Sequence, residues 1–182
     1  GNWKEIRFDI DKNVKPDIVG TLTDMKLVET NSVDALYSAH NIEHIYPHQV
    51  PIALKEFYRV LKEDGMAVIV CPDLQSVCEA VVYDGLLEPL YDSHSGPISP
   101  IDTLYGHRRL IAEGNEYMAH KGGFTYPVLN GAFYEAGFKV RIGGRRPADY
   151  ELWLVAFKQK NKLDDELKKI ALPFIPISSY SQ

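Results

Sequence analysis

The stretch from Ser32 to Asp73, SVDALYSAHNIEHIYPHQVPIALKEFYRVLKEDGMAVIVCPD, decides the fold. Val33 to Tyr37 is a short apolar run of strand type, broken at Ser38. Pro51 to Leu61 follows as an amphipathic helix, with Ile52, Phe57, Val60 and Leu61 near one face and Lys55, Glu56 and Arg59 directed outward. Pro51 suits a first helical turn. The turn Glu63-Asp64-Gly65 ends the helix, Gly65 being free to take the left-handed conformation. Met66 to Cys71 is a second apolar strand, ended by Pro72. Neither strand alternates. Two such strands joined through a helix read as a right-handed β-α-β crossover in a buried parallel sheet. Ligands of such sheets sit beyond the carboxyl ends of the strands, here Ser38-Ala39-His40 and Cys71-Pro72-Asp73.

Upstream, Lys4 to Asp9 alternates like a strand and closes in the acidic cluster Asp9-Ile10-Asp11. A carboxylate at that point is either an acidic turn or a bidentate acceptor for two ribose hydroxyls. Asp17 to Leu22 is a further short strand. Downstream, Leu74 to Val82 reads as a helix. Asp84 to Gly123 is then rich in Gly, Pro, His and Tyr, with one helix-like segment from Ile101 to Ala112. Insertions of that length are commonly lids or binding loops. Its polar and aromatic candidates are Tyr91, His94, Tyr105, His107, Tyr117 and His120.

Thr125 and Pro127 open the next helix, Val128, Leu129, Ala132, Phe133 and Ala136 keep its period, and Gly137 closes it. Lys139 to Ile142 and Leu152 to Phe157 are strands joined through GGRRPADYE, an antiparallel hairpin. The tail from Leu163 offers a charged helix, DDELKKIA, and then LPFIPI, an apolar segment that docks on the body or on a neighbouring subunit of a homodimer. The organisation expected is one domain over residues 1–160, with 84–123 inserted, and a helix and tail over 161–182.

With 45% hydrophobic and 25% charged residues, the 182-residue chain has ordinary globular composition and can bury a sizeable core. A net charge of −5 argues against general nucleic-acid binding, and the local pair Arg145-Arg146 does not change that. No run of eighteen apolar residues exists, so no membrane helix is expected, and the amino terminus carries no signal-peptide pattern. Cys71 and Cys78 lack metal or redox spacing and read as buried reduced thiols, which suits a cytoplasmic protein. His40, His44 and His48 recur every four residues, but Pro47 interrupts any helix that would align them, so no metal site is expected.

The text SVDALYSAHNIEH followed by EFYRVLKEDGMAVIVCPD resembles the fourth strand, following helix and fifth strand of the class I S-adenosylmethionine-dependent methyltransferases. Asp34, Ser38, the triplet Ile42-Glu43-His44 and the turn Arg59-Val60-Leu61-Lys62-Glu63-Asp64-Gly65 carry the likeness. The resemblance implies an α/β, Rossmann-like sheet, mostly parallel, with a carboxyl-terminal antiparallel hairpin. It also implies S-adenosylmethionine as cofactor and methyl transfer to a small-molecule acceptor. By that resemblance Asp9, beside Ile10, accepts from the ribose hydroxyls. Thr21, Leu22 and Asp24 lie by the adenine, Asp24 standing in for the Asp that Thr21 replaces. Ser38, Ala39 and His40 lie under the adenosyl group, and His107 or His120 is the candidate base where the acceptor must lose a proton. His44 is a structural residue in such a pattern.

One element of the family pattern is missing: a first strand ending in a Gly-x-Gly-x-Gly loop, which lets backbone approach the methionine part of the cofactor. That strand would lie between the family's second and fourth, so those two either pair directly or another segment fills the place. Two functions follow: a methyltransferase, or a catalytically inactive methyltransferase-like binding or assembly module whose cofactor binding is weakened or lost.

Overall fold

The computed structural model describes residues 3–158 and 164–175. In chain order the elements are β1 (Phe8–Asp9), β2 (Ile18–Val19), β3 (Val33–Ala39), α1 (Val50–Val60), β4 (Leu61–Pro72) and α2 (Leu74–Tyr83). The inserted region contributes β5 (Tyr91–Ser93), β6 (Gly96–Ile98), α3 (Pro100–Tyr105) and α4 (Arg108–Ala112). The closing elements are α5 (Tyr126–Glu135), β7 (Val140–Arg146), β8 (Glu151–Phe157) and α6 (Asp164–Ala171).

The main sheet has the order β3-β4-β8-β7. β3 runs parallel to β4, while β8 is antiparallel to both β4 and β7, so three of the four strands point the same way. The parallel pair with its helical crossover and the closing hairpin are those read from the sequence. β4 is buried along almost its whole length because it is central, which explains why Met66 to Cys71 shows no alternation. The turn at Glu63–Gly65 is absorbed into β4 as a bulge, where the register jumps from Val33↔Leu61 to Ala35↔Met66. Gly65 is not left-handed, contrary to the sequence reading. It is required because a Cβ there would meet the Lys62 carbonyl oxygen at 2.9 Å and that of Asp34 at 3.2 Å. Gly137, by contrast, takes φ 106 and closes α5 as expected.

One face of the sheet, through Ala67, Ile69, Cys71, Leu152, Leu154 and Ala156, packs with Leu54, Phe57 and Val60 of α1 and Leu129 and Phe133 of α5. The stripe of α1 is rotated from expectation: Val50, Ala53, Leu54, Phe57 and Val60 are buried and Ile52 is exposed. Glu56 and Arg59 do not simply face solvent. Glu56 accepts from Met25 N–H at 2.8 Å, and Arg59 donates to the carbonyls of Met25 and Val28 at 2.9 and 3.0 Å, pinning the connection into β3.

The opposite face, Met66, Val68, Val155 and Phe157 with Ala35, Val140 and Ile142, is covered by Leu167 and Ala171 of α6 and by Ile175. The tail therefore docks on the body through its apolar stripe. Each such buried aliphatic side chain contributes roughly 1.5–3 kcal/mol. The part of LPFIPI beyond Ile175 lies outside the described residues.

Upstream of β3 the strands are shorter than the sequence suggested. β1 and β2 pair only through Phe8↔Ile18 and Asp9↔Val19, as a separate two-stranded parallel sheet. Neither expected resolution of the missing strand is seen among the described residues: β1 does not pair with β3, and no segment lies in a ladder between them. Tyr37 on β3 is 66% exposed. A strand paired on one side directs alternate backbone groups into an open edge.

In the insertion, the single expected helix is split into α3 and α4 at Gly106 (φ 100, ψ 163). Of the two cysteines, Cys71 is buried but Cys78 is exposed. Arg145 and Arg146 form no free basic patch, since Asp73 and Glu79 face the first and Asp149 and Glu151 the second. No described helix is long and apolar enough to cross a membrane.

Candidate functional site at the carboxyl ends of the central strands

β3 and β4 end side by side, at Ala39 and Pro72. The chain leaves β3 through His40, whose φ of 52° puts a non-glycine residue in the left-handed region, where strain gathers at functional corners. Asn41 Nδ2 donates to the Ala39 carbonyl at 2.7 Å and fixes that corner. His40 Nε2 lies 3.3 Å from Glu151 Oε1, and its Nδ1 lies 3.5 Å from Glu43 Oε1. These carboxylates, Glu151 first and Glu43 next, push the imidazole pKa up to about 9, so His40 is a cation at neutral pH. Burial pushes the Glu151 carboxyl up, but hydrogen bonds from His40 and from Trp153 Nε1 (2.8 Å) hold it below the ordinary range.

The triplet Ile42-Glu43-His44 forms a 3-10 turn after this corner, with Ile42 and Glu43 buried. Glu43 is 1% exposed, and neither carboxylate oxygen has a hydrogen bond. His44 Nδ1 faces the Ala119 carbonyl at 3.1 Å, and His120 Nδ1 faces that of Thr103 at 2.7 Å. Carbonyl oxygens only accept, so in both rings Nδ1 carries a proton, and in the neutral tautomer this leaves the lone pair on Nε2. The two rings meet edge to face, with centroids 4.8 Å apart. Burial lowers the His120 pKa.

A cavity of about 280 Å³ opens here, lined by Glu43, Pro72, Leu74, Thr103, Tyr105 and His120 among others. Its floor is the end of β4, and its roof is the inserted region. The insertion is braced internally by Asp102, which is buried and accepts from Ser99 N–H at 3.0 Å and from Arg108 Nε and Nη2 at 2.7 and 3.0 Å. It is tied to the turn after β3 by Lys121 and Gly122 N–H, which donate to the Glu43 carbonyl at 2.8 and 3.0 Å.

The structure divides the residues expected at the site. Asp9 ends β1, half-buried, its Oδ1 accepting from Asp11 N–H at 2.7 Å, and Ile10 is exposed. Thr21 Oγ1 hydrogen-bonds Thr23 Oγ1 at 2.8 Å, Leu22 packs against the core, and exposed Asp24 pairs with Lys26 at 2.8 Å. Ser38 is buried with its hydroxyl unpartnered, directly before Ala39 and His40. Of the base candidates, His120 lines the cavity. His107 caps α4, its Nδ1 accepting from Leu110 N–H at 3.4 Å. Of the other insertion candidates, Tyr105 reaches the cavity, while Tyr91 stacks on Tyr150 with centroids 6.5 Å apart. His94 and Tyr117 are exposed.

Sequence reading missed Glu151 and Arg108, which carry no local signature, and Asp102, whose capping-box spacing Ser99-Pro100-Ile101-Asp102 was the signal that could have found it. It met Glu43 only inside the triplet.

Comparison with known proteins agrees with this architecture. Residues 5–69 match the family model described as a methyltransferase domain. None of the curated proteins compared with the chain matches it. Among solved structures, a candidate O-methyltransferase from Nostoc punctiforme superposes with TM-score 0.50 at 13% identity, over 83% of this chain and 43% of its own. An O-methyltransferase family protein from Burkholderia thailandensis gives TM-score 0.50 at 10% identity, over 80% and 36%. The 1,6-didemethyltoxoflavin-N1-methyltransferase of Burkholderia thailandensis, solved with bound 1,6-didemethyltoxoflavin and S-adenosylhomocysteine, gives 0.46 at 16% identity, over 79% and 50%. The chain thus spans half or less of the length of these proteins. Its fold is α/β and Rossmann-like, as in the two structures that superpose with TM-score 0.50.

Proposed function

We propose that this chain is the S-adenosylmethionine-binding part of a methyltransferase acting on a small-molecule acceptor. The observation that carries the reading is the methyltransferase-domain match over residues 5–69, which runs from ahead of Asp9 to the core of β4. In this reading Asp9 accepts from the ribose hydroxyls, with Ile10 beside it, and Thr21, Leu22 and Asp24 flank the adenine. Ser38, Ala39 and His40 form the corner under the adenosyl group. The cavity at the end of β4 receives the acceptor.

When bound, the cofactor supplies an activated methyl on a sulfonium. The chain's part is to align acceptor and cofactor and to exclude water, since orientation alone can account for much of the acceleration. A base is needed only when the acceptor must lose a proton. The cavity between strand end and insertion suits that task.

A second reading, a methyltransferase-like binding module without catalysis, is favoured by one observation: β1 and β3 are not joined in one ladder. Calorimetric titration with S-adenosylmethionine and S-adenosylhomocysteine separates the two. Micromolar binding that is lost in Asp9→Ala supports the first. Absence of heat at millimolar ligand ends it.

A further inference from the structure

Glu43, His44 and His120 each offer one ligand atom, and these atoms lie within 4.8 Å of one another. They come from two distant segments: the turn after β3 and the end of the insertion. Each histidine donates its Nδ1 proton to a backbone carbonyl, those of Ala119 and Thr103. That is the outer-shell arrangement that fixes the tautomer of a metal-ligating imidazole and presents Nε2. Glu43 supplies the independent sign of a ligand. Its carboxylate is 1% exposed, and both oxygens lack any hydrogen bond. Its charged neighbour is His40, 3.5 Å away and not aligned as a hydrogen bond. The His40 cation meets Oε1 from one side, and a buried carboxylate with no hydrogen bond on either oxygen still has room for a second positive partner.

We propose that Glu43, His44 and His120 hold a divalent transition-metal cation of the zinc type. Two imidazoles and one carboxylate are the donor set such ions take when a fourth position stays open. The open position faces the cavity that Glu43 and His120 line. Ligands around a tetrahedral ion at about 2.0–2.2 Å stand roughly 3.3–3.5 Å from each other, so the widest separation in the set closes by up to about 1.4 Å on binding. The ion ties the insertion to the turn after β3, and it takes His120 out of contention as a free base. From the sequence no metal site is expected, since Pro47 breaks the spacing of His40, His44 and His48. His48 instead is exposed and stacks on Tyr46.

The inference stands apart from the methyl-transfer reading, and its test needs no activity. The metal-free 182-residue chain is titrated with Zn²⁺ by calorimetry and with Co²⁺ by visible absorption. The expected result is one ion per chain, a ligand-field band for Co²⁺, and a raised melting temperature with Zn²⁺. Glu43→Gln and His120→Asn should weaken binding at least tenfold, while His48→Ala leaves it unchanged. Asn keeps a donor near the Nδ1 position, so its fold is expected to survive, and circular dichroism of each variant checks this. No ion bound at millimolar metal overturns the proposal. So does binding that Glu43→Gln and His120→Asn leave unaltered, or that His48→Ala abolishes.

Discussion

Asp73 Oδ2 lies 2.7 Å from Arg145 Nε, joining the end of the central strand to the edge strand across 72 residues of sequence. The same carboxylate accepts from Ser76 Oγ at 2.5 Å, and Asp73 Oδ1 caps α2 by accepting from Gln75 N–H at 3.2 Å. One fully buried residue therefore ends β4, starts α2 and anchors β7.

Asp73→Ala should cost about 3–5 kcal/mol, because it leaves a largely buried guanidinium without its main carboxylate and removes a helix cap as well. Urea denaturation followed by circular dichroism measures this. A loss under about 1 kcal/mol would show the pair to be ornamental.

Glu56 yields a pH dependence. Its carboxyl is held below the ordinary range, first by the hydrogen bond from Arg59, with burial opposing it. A depressed folded pKa stabilises the protein above the unfolded value of about 4.3 and loses that contribution as pH falls through the folded value. Stability measured from pH 6 down to pH 3 should fall less steeply in Glu56→Gln than in the parent chain. Parallel curves would refute the role given to Glu56.

Gly106→Ala should destabilise the insertion by about 1–3 kcal/mol, since its φ and ψ fall in a region open essentially to glycine alone. A Cβ there would also meet the Met118 carbonyl oxygen at 2.0 Å. Faster proteolysis between residues 100 and 120, with the core left intact, is the expected readout.

Leu167→Ala should cost about 2–5 kcal/mol, the usual range for emptying a filled core position. Leu167 is 1% exposed and packs in the cluster with Met66, Val68, Val155 and Phe157. Chemical denaturation gives the value, and binding of a hydrophobic dye should rise as that sheet face opens. A neutral substitution would mean that α6 does not cover the sheet in solution.

The sequence by itself determined the parallel pair around α1, the closing hairpin formed by β7 and β8, and the helices α2, α5 and α6. Each of these rests on signals local to a few turns: unbroken apolar runs, Pro at a first helical turn, Gly137 at a helix end. It overstated β1 and β2, because a strand lengthens only where a ladder partner exists, and partnership is not a local property. It turned α1 by a step, since Ile52 and Leu54 are equally apolar and only packing chooses between them. At the candidate site it could name His40, Glu43 and His120, but not that Glu151 would meet the first from 111 residues away. Nor could it see that half-buried His44 and His120 would share one corner with buried Glu43. Residues so far apart in the chain carry no spacing rule. Their meeting depends on how the crossover, the insertion and the hairpin close on one strand end, and only the tertiary structure decides that.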